Sequence, residues 1–268
     1  ELVAEHTQEL PANGKLIIKI DTAMAKQLYG DQDQRYEIQA EVTDASRRTI
    51  TGSTSVVVSH QAFKVYAWVD KGFYQAGESI KASFKAQTAT RKAVQGKGKV
   101  TLYQINYGAK GIPEEIQIKS WQVTANDRGE VTRSFVLDSA GQYRVALSLE
   151  DSNGKTDTGA YLFNVIGDKK EQVTLRFNPL EIISKKREYA SNEQASLLIN
   201  TRQADSTVLL FERPLNGIYQ QPTFLNIKGK SAQYDMPLTK KDMPNIFIEA
   251  VTIRDGKVYT KLRELMVP

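Results

Sequence analysis

Three aspartates recur at matched places: Asp44, Asp151 and Asp255 each stand eight residues after an aromatic, Tyr36, Tyr143 and Phe247. Carboxylates repeated in this way could hold calcium between domains, or each could open a turn by accepting backbone N–H bonds. The turn reading is preferred, because each Asp is followed by turn residues and then by another β-rich run. Asp31 and Asp33 form a short acidic pair, but without the alternating acids and distal Glu of a calcium loop. The histidines are His6 and His60, one in a terminal stretch and one at an expected junction, and no G-x-S-x-G elbow accompanies them. Gly96-Lys97-Gly98-Lys99 lacks the spacing of a phosphate loop. Trp68, Tyr66 and Trp121 could form a sugar-stacking surface, with core or interdomain packing as the preferred role. Tyr219, in the loop Pro214–Pro222, is a candidate partner contact, weighed against an ordinary surface loop. No catalytic, cofactor-binding or metal-binding residue is expected, and no enzyme activity.

Composition narrows the classes further. The 268 residues contain no cysteine, which excludes disulfides, thiolate catalysis and Cys-type zinc sites. A formal net charge of +5 is mild for this length, and its basic clusters (Lys97/Lys99, Lys185–Arg187, Lys240/Lys241) are interleaved with acids. They read as solvated faces, so no nucleic-acid partner is expected. No stretch is apolar enough for a transmembrane helix, and the first residues, ELVAEHTQEL, do not read as a signal peptide. The chain reads as starting within a domain, with any signal or membrane anchor lying upstream.

The elements that would position these residues are strands. In Gly141–Val165, Tyr143, Val145, Leu147 and Leu149 alternate with Arg144, Ala146, Ser148 and Glu150, the period-2 pattern of a half-buried strand. Asn153-Gly154 then predicts a type I′ turn, and a second strand runs to Val165. The same layout appears around Tyr36 and Phe247, at intervals of roughly one hundred residues, a period that indicates tandem domains. Asp255-Gly256 is the strongest hairpin signal. Tyr189 takes the place of Tyr74 in a second repeated phrase, with Asn192 for Gly77. Tyr143 and Phe247 are expected to be equivalent core residues.

The expected class is all-β, with tandem Ig- or fibronectin III-like antiparallel sandwiches. Residues 61–167 and 168–268 read as two complete seven-stranded units. Residues 1–60 read as the C-terminal part of a preceding one. They hold a strand at Leu16–Ile20 and the Tyr36–Val58 hairpin, about four strands in all, with either a short helical turn or an ordered loop in residues 21–34.

Four phrases, YEIQAEVTDASRRTITGSTSVVV, DKGFYQAGESIKASFKAQT, GQYRVALSLEDSNG and MPNIFIEAVTIRDGKVYT, resemble the macroglobulin-like domains of bacterial alpha-2-macroglobulins. That resemblance implies a protease trap that is extracytoplasmic, in the periplasm or at the cell surface. In such a protein a cut bait segment triggers rearrangement, and a thioester domain can link to the attacker. The thioester motif Cys-x-Glu-Gln is absent here and no bait is identifiable. The implied role is therefore a non-catalytic scaffold of an endopeptidase inhibitor. Its partners would be other domains of the parent protein and, through the parent, proteases. The competing reading is a bacterial cell-surface adhesion or carbohydrate-binding module.

Overall fold

A computed structural model describes residues 2–30, 32–108, 111–167, 176–213 and 221–268. The chain divides into two compact units, residues 1–62 with 88–92, and residues 63–87 with 93–268.

In the first unit, Ala23–Tyr29 forms helix α1, built from good helix formers (Ala, Met, Lys, Gln, Leu) and ended at Gly30 with φ 61°. Strands β1 (Gln34–Thr43) and β2 (Thr49–Val58) pair as one antiparallel hairpin. The expected strand at Leu16–Ile20 is not formed. Leu16, Ile17 and Ile18 are exposed, and alternation without a neighbouring strand to complete the ladder does not make a sheet. Among the described residues this unit therefore holds two strands, not four.

The second unit is built from two successive sandwiches. The first has strands β3 (Lys64–Val69), β4 (Phe73–Gln75), β5 (Ser79–Gln87), β6 (Gly96–Tyr107), β7 (Pro113–Ala125), β8 (Glu130–Val136), β9 (Gly141–Asp151) and β10 (Thr156–Ile166). They form a five-stranded sheet, β4-β10-β9-β6-β7, facing a three-stranded one, β3-β5-β8. Among the described residues this is one strand more than expected. The extra strand, β4, pairs parallel to β10 in an otherwise antiparallel arrangement. Tyr143, Val145, Leu147 and Leu149 all point into the core between the sheets, as their alternation requires. The Tyr143 hydroxyl donates to the Ser139 carbonyl at 2.8 Å, the geometry of a tyrosine corner, and its ring stacks 5.8 Å from Phe163.

Among the described residues the second sandwich has seven strands, β11 (Leu180–Ser184), β12 (Gln194–Thr201), β13 (Ser206–Arg213), β14 (Thr223–Ile227), β15 (Ser231–Pro237), β16 (Asn245–Arg254) and β17 (Lys257–Met266). Their sheets are β11-β12-β15 and β14-β13-β16-β17. Here the face assignment is corrected. Ile246, Ile248 and Ala250 point inward, while Phe247 lies half-buried on the outer face. Both faces of β16 carry apolar residues, so alternation alone cannot say which is buried.

Candidate functional site

Two of the three recurring aspartates do the same work. Asp44 and Asp151 each open a five-residue turn in which Oδ1 accepts two amides of the turn itself. Ser46 and Arg48 donate to Asp44 at 2.8 and 3.0 Å, and Asn153 and Lys155 donate to Asp151 at 2.8 Å each. Asn126 does likewise with the amides of Arg128 and Glu130. In each turn the fourth residue is left-handed: Arg47 at φ 62°, Gly129 at 71° and Gly154 at 73°. The Asn153-Gly154 turn is therefore a longer turn with one left-handed residue, not a type I′ pair. Asp255 differs. It is itself left-handed (φ 49°) and, with Gly256 at 70°, forms the two-residue turn between the Arg254–Lys257 pair.

Amide donation from Lys155 and Asn153 holds the Asp151 carboxyl below its usual range. Oδ1 of Asp44 and of Asp151 is thus committed to its own turn, and Asp44 Oδ2 accepts Arg48 Nε at 3.1 Å. In the first unit Asp33 Oδ1 accepts the His60 amide at 3.0 Å, while Asp31 lies outside the described residues. His6 is exposed in a stretch without secondary structure. Gly96–Lys99 runs along β6, inside a sheet.

The three candidate aromatics separate. Trp121 packs against the first core, stacked on Phe135 at 5.6 Å with Lys119 Nζ 5.5 Å over its ring. Tyr66 and Trp68 alternate along β3 on one outward face and remain 48% and 43% exposed. The Pro214–Pro222 loop, Tyr219 included, lies outside the described residues except for its last two positions.

A turn missed as a site recurs in both sandwiches. The Tyr74 hydroxyl donates to Asp70 Oδ1 at 2.7 Å and accepts the Lys71 amide at 3.0 Å. Burial, the Asp70 hydrogen bond and nearby acids push this phenol well above its usual range. Glu78 closes the turn, accepting the Gln75 amide at 3.0 Å and Lys71 Nζ at 2.5 Å. One repeat later the Tyr189 hydroxyl accepts the Lys186 amide at 3.0 Å, and Glu193 takes the Ala190 amide at 3.0 Å together with the Lys186 ammonium. Gly77 and Asn192 occupy the same left-handed position, φ 83° and 78°.

The first of these turns also touches the second sandwich. The Gly72 amide donates to the Lys185 carbonyl at 2.9 Å, and Lys185 Nζ reaches Glu78 at 3.2 Å. Gln75 Nε2 donates to Gln233 Oε1 at 2.8 Å. Phe73, Ile166 and Leu198 form a small buried cluster with Ile183 packed on it. Burial alone would raise the Glu78 carboxyl, but Lys71, the Gln75 amide and Lys185 outweigh it and hold it below its usual range.

Near this junction an open groove of about 480 Å³ is lined by Tyr107, Glu115, Gln142, Arg144, Leu162 and Glu181, among others. Arg144 clasps Glu115 through two bonds of 2.5 Å and lies 4.5 Å over the Tyr103 ring, and it holds the Glu115 carboxyl below its usual range. Glu181, the other carboxylate of the groove, accepts the Asn178 amide at 3.0 Å and the side-chain amides of Asn178 and Asn200 at 2.7 and 3.1 Å. No helix among the described residues is long and apolar enough to cross a membrane.

No protein-family model matches the chain. An alpha-2-macroglobulin homolog from Nostoc sp. is 24% identical over 83% of this chain and 12% of its own length, so the chain spans a small fraction of that relative. Among solved structures, the native conformation of Escherichia coli alpha-2-macroglobulin aligns with 88% of this chain and 17% of its own, at 12% identity and a TM-score of 0.30. The trypsin-activated form of the Escherichia coli protein aligns with 87% and 18%, at 10% identity and 0.31. A tetra-tandem repeat from the extending region of a large adhesion protein aligns with 88% and 57%, at 15% identity and 0.27. TM-scores of this size are too low to assign a fold or a role.

Proposed function

We propose that this chain is a non-catalytic scaffold segment of an extracytoplasmic, alpha-2-macroglobulin-like endopeptidase inhibitor. Residues 1–60 would be the later part of one macroglobulin-like domain, and residues 61–167 and 168–268 two complete ones. The observation that carries this reading is sequence similarity to an alpha-2-macroglobulin homolog running through 83% of the chain. In support, the second unit joins its sandwiches through backbone, apolar and charged contacts at one junction, as a part that positions other parts requires. Bait and reactive functions would reside elsewhere in the parent protein, with proteases as the partners of the whole.

The test is to express the reading frame encoding this chain together with its flanking sequence and to add trypsin. A trap lets bound trypsin cleave a small chromogenic peptide while blocking a large protein substrate. Deleting residues 63–268 should abolish that difference, and the isolated chain should neither inhibit trypsin nor hydrolyse either substrate. Equal turnover of both substrates by trypsin treated with the full product overturns the reading.

One observation favours the second reading, a surface-binding module: Tyr66 and Trp68 are co-facing and exposed on β3. Such a pair can stack on sugar rings. Saturable quenching of tryptophan fluorescence by soluble polysaccharides, lost in Trp68→Ala, would support it over the scaffold.

A further inference from the structure

We infer that the two sandwiches of the second unit are locked as one rigid arm. The lock is a seat on the first sandwich that the second does not repeat. This inference rests on the junction alone and stands whether or not the parent is a protease inhibitor.

The seat is built on the Tyr74 turn. At Gly72 the second sandwich comes so close that an added Cβ would lie 2.1 Å from the Ser184 carbonyl oxygen, so a side chain cannot be accommodated without moving the backbone. That closeness allows the Gly72 amide to reach the Lys185 carbonyl. Phe73, the next residue, is fully buried against Ile166 and Leu198. Two positions on, Gln75 reaches Gln233, and Glu78 holds Lys185 as well as its own Lys71. Neighbouring domains ordinarily move against one another unless their interface resists it. Here a backbone hydrogen bond, an apolar plug, an amide pair and a shared carboxylate all act at one place.

The second sandwich keeps the turn and loses the seat. Its tyrosine, left-handed residue and glutamate are present as Tyr189, Asn192 and Glu193. The positions equivalent to Gly72, Phe73 and Gln75 are Arg187, Glu188 and Ala190. A bulky cation stands where the backbone must approach, and a carboxylate stands where the plug must be buried. The turn is thus a structural repeat, while the seat is specific to the first sandwich. It receives residues 183–185 and could not be reproduced one repeat later. Rearrangement of any larger assembly would then carry this pair as a single body, with its hinges outside the junction.

The chain has no native cysteine, so spin labels can be placed at will. Labels on Thr132→Cys and Lys261→Cys, exposed positions of the two sandwiches, would report their separation by pulsed dipolar spectroscopy. The full chain should give one narrow distance distribution. Gly72→Val should at least double its width while both sandwiches keep their β-sheet circular dichroism. Should Gly72→Val fail to fold, the double variant Gln75→Ala/Lys185→Ala, which removes contacts without a clash, decides in its place and should broaden the distribution as well. A broad distribution in the unsubstituted chain overturns the lock. So does an unchanged width in the folded variant.

Discussion

Gly159 lies directly against the carbonyl of Val65: a Cβ built on Gly159 would sit 2.1 Å from that oxygen. Two residues earlier on the same strand, Asp157 Oδ2 accepts the Val65 amide at 2.6 Å. Together they dock the edge strand β3 onto β10 and close the first sandwich along one side. A side-chain acceptor satisfies the edge amide, and a missing Cβ makes the approach possible.

Gly159→Ala should therefore separate β3 from β10. Because the clash is with backbone rather than with a flexible side chain, the cost should reach at least about 3 kcal/mol, the upper end of overpacking changes. Hydrogen exchange is the direct check, with the amides of Lys64–Val69 losing protection before those of β9. Unchanged protection of Val65 would show that the strands do not need this contact.

Tyr143→Ala should cost about 3–5 kcal/mol, as expected for a buried aromatic, because it empties the core and removes the bond to Ser139. Phe247→Ala should cost less than about 1.5 kcal/mol, since Phe247 is on the outer face and only half-buried. Urea unfolding of the two variants checks the contrast, and equal losses would mean that Phe247 is a core residue after all.

That contrast also shows where the sequence was legible. On β9 one alternating set is apolar and the other is mainly polar, so the buried face could be read directly. On β16 the outward set includes Phe247, Val251 and Ile253, as apolar as the inward Ile246, Ile248 and Ala250, and a one-residue error followed. The Tyr74 and Tyr189 turns were visible because their bonds are local, but the seat at Gly72 was not. Its need for glycine comes from Ser184, more than a hundred residues away. Leu16–Ile20 failed for the converse reason. A strand-like pattern is a local property, and a strand also needs a neighbour.

The turn aspartates should respond differently to substitution. Asp255 is left-handed, a conformation costing an ordinary residue about 1–2 kcal/mol. Asp255→Ala should therefore destabilise the second sandwich by about 1 kcal/mol, while Asp255→Gly should be nearly neutral. Asp151 instead serves as an acceptor, so Asp151→Asn, which keeps an oxygen in place, should preserve more of the melting temperature than Asp151→Ala. Thermal melts of the four variants test both orders. Equal effects of Ala and Gly at residue 255 would remove the backbone explanation.

Acid should open the junction before it melts the sandwiches. Lys71, the Gln75 amide and Lys185 hold the Glu78 carboxyl below its ordinary value of 4.5 in the folded chain. Between the two values the unfolded chain binds the extra proton and the folded chain does not. The stability Glu78 contributes is thus fully present above pH 4.5 and is lost as pH falls through the lower, folded value. Protonation removes the charge that Lys71 and Lys185 share, leaving Phe73, the Gly72 bond and the Gln75–Gln233 pair to hold the second sandwich. The spin-label distance distribution should therefore stay narrow from neutral pH down to 4.5 and broaden below it. Glu78→Gln, which cannot ionise, should already be broader at neutral pH and should change little with acid. A Glu78→Gln variant that is narrow at neutral pH and broadens with the same acid profile as the unsubstituted chain would assign the acid response to another carboxylate, with Glu115 beside Arg144 the first to examine.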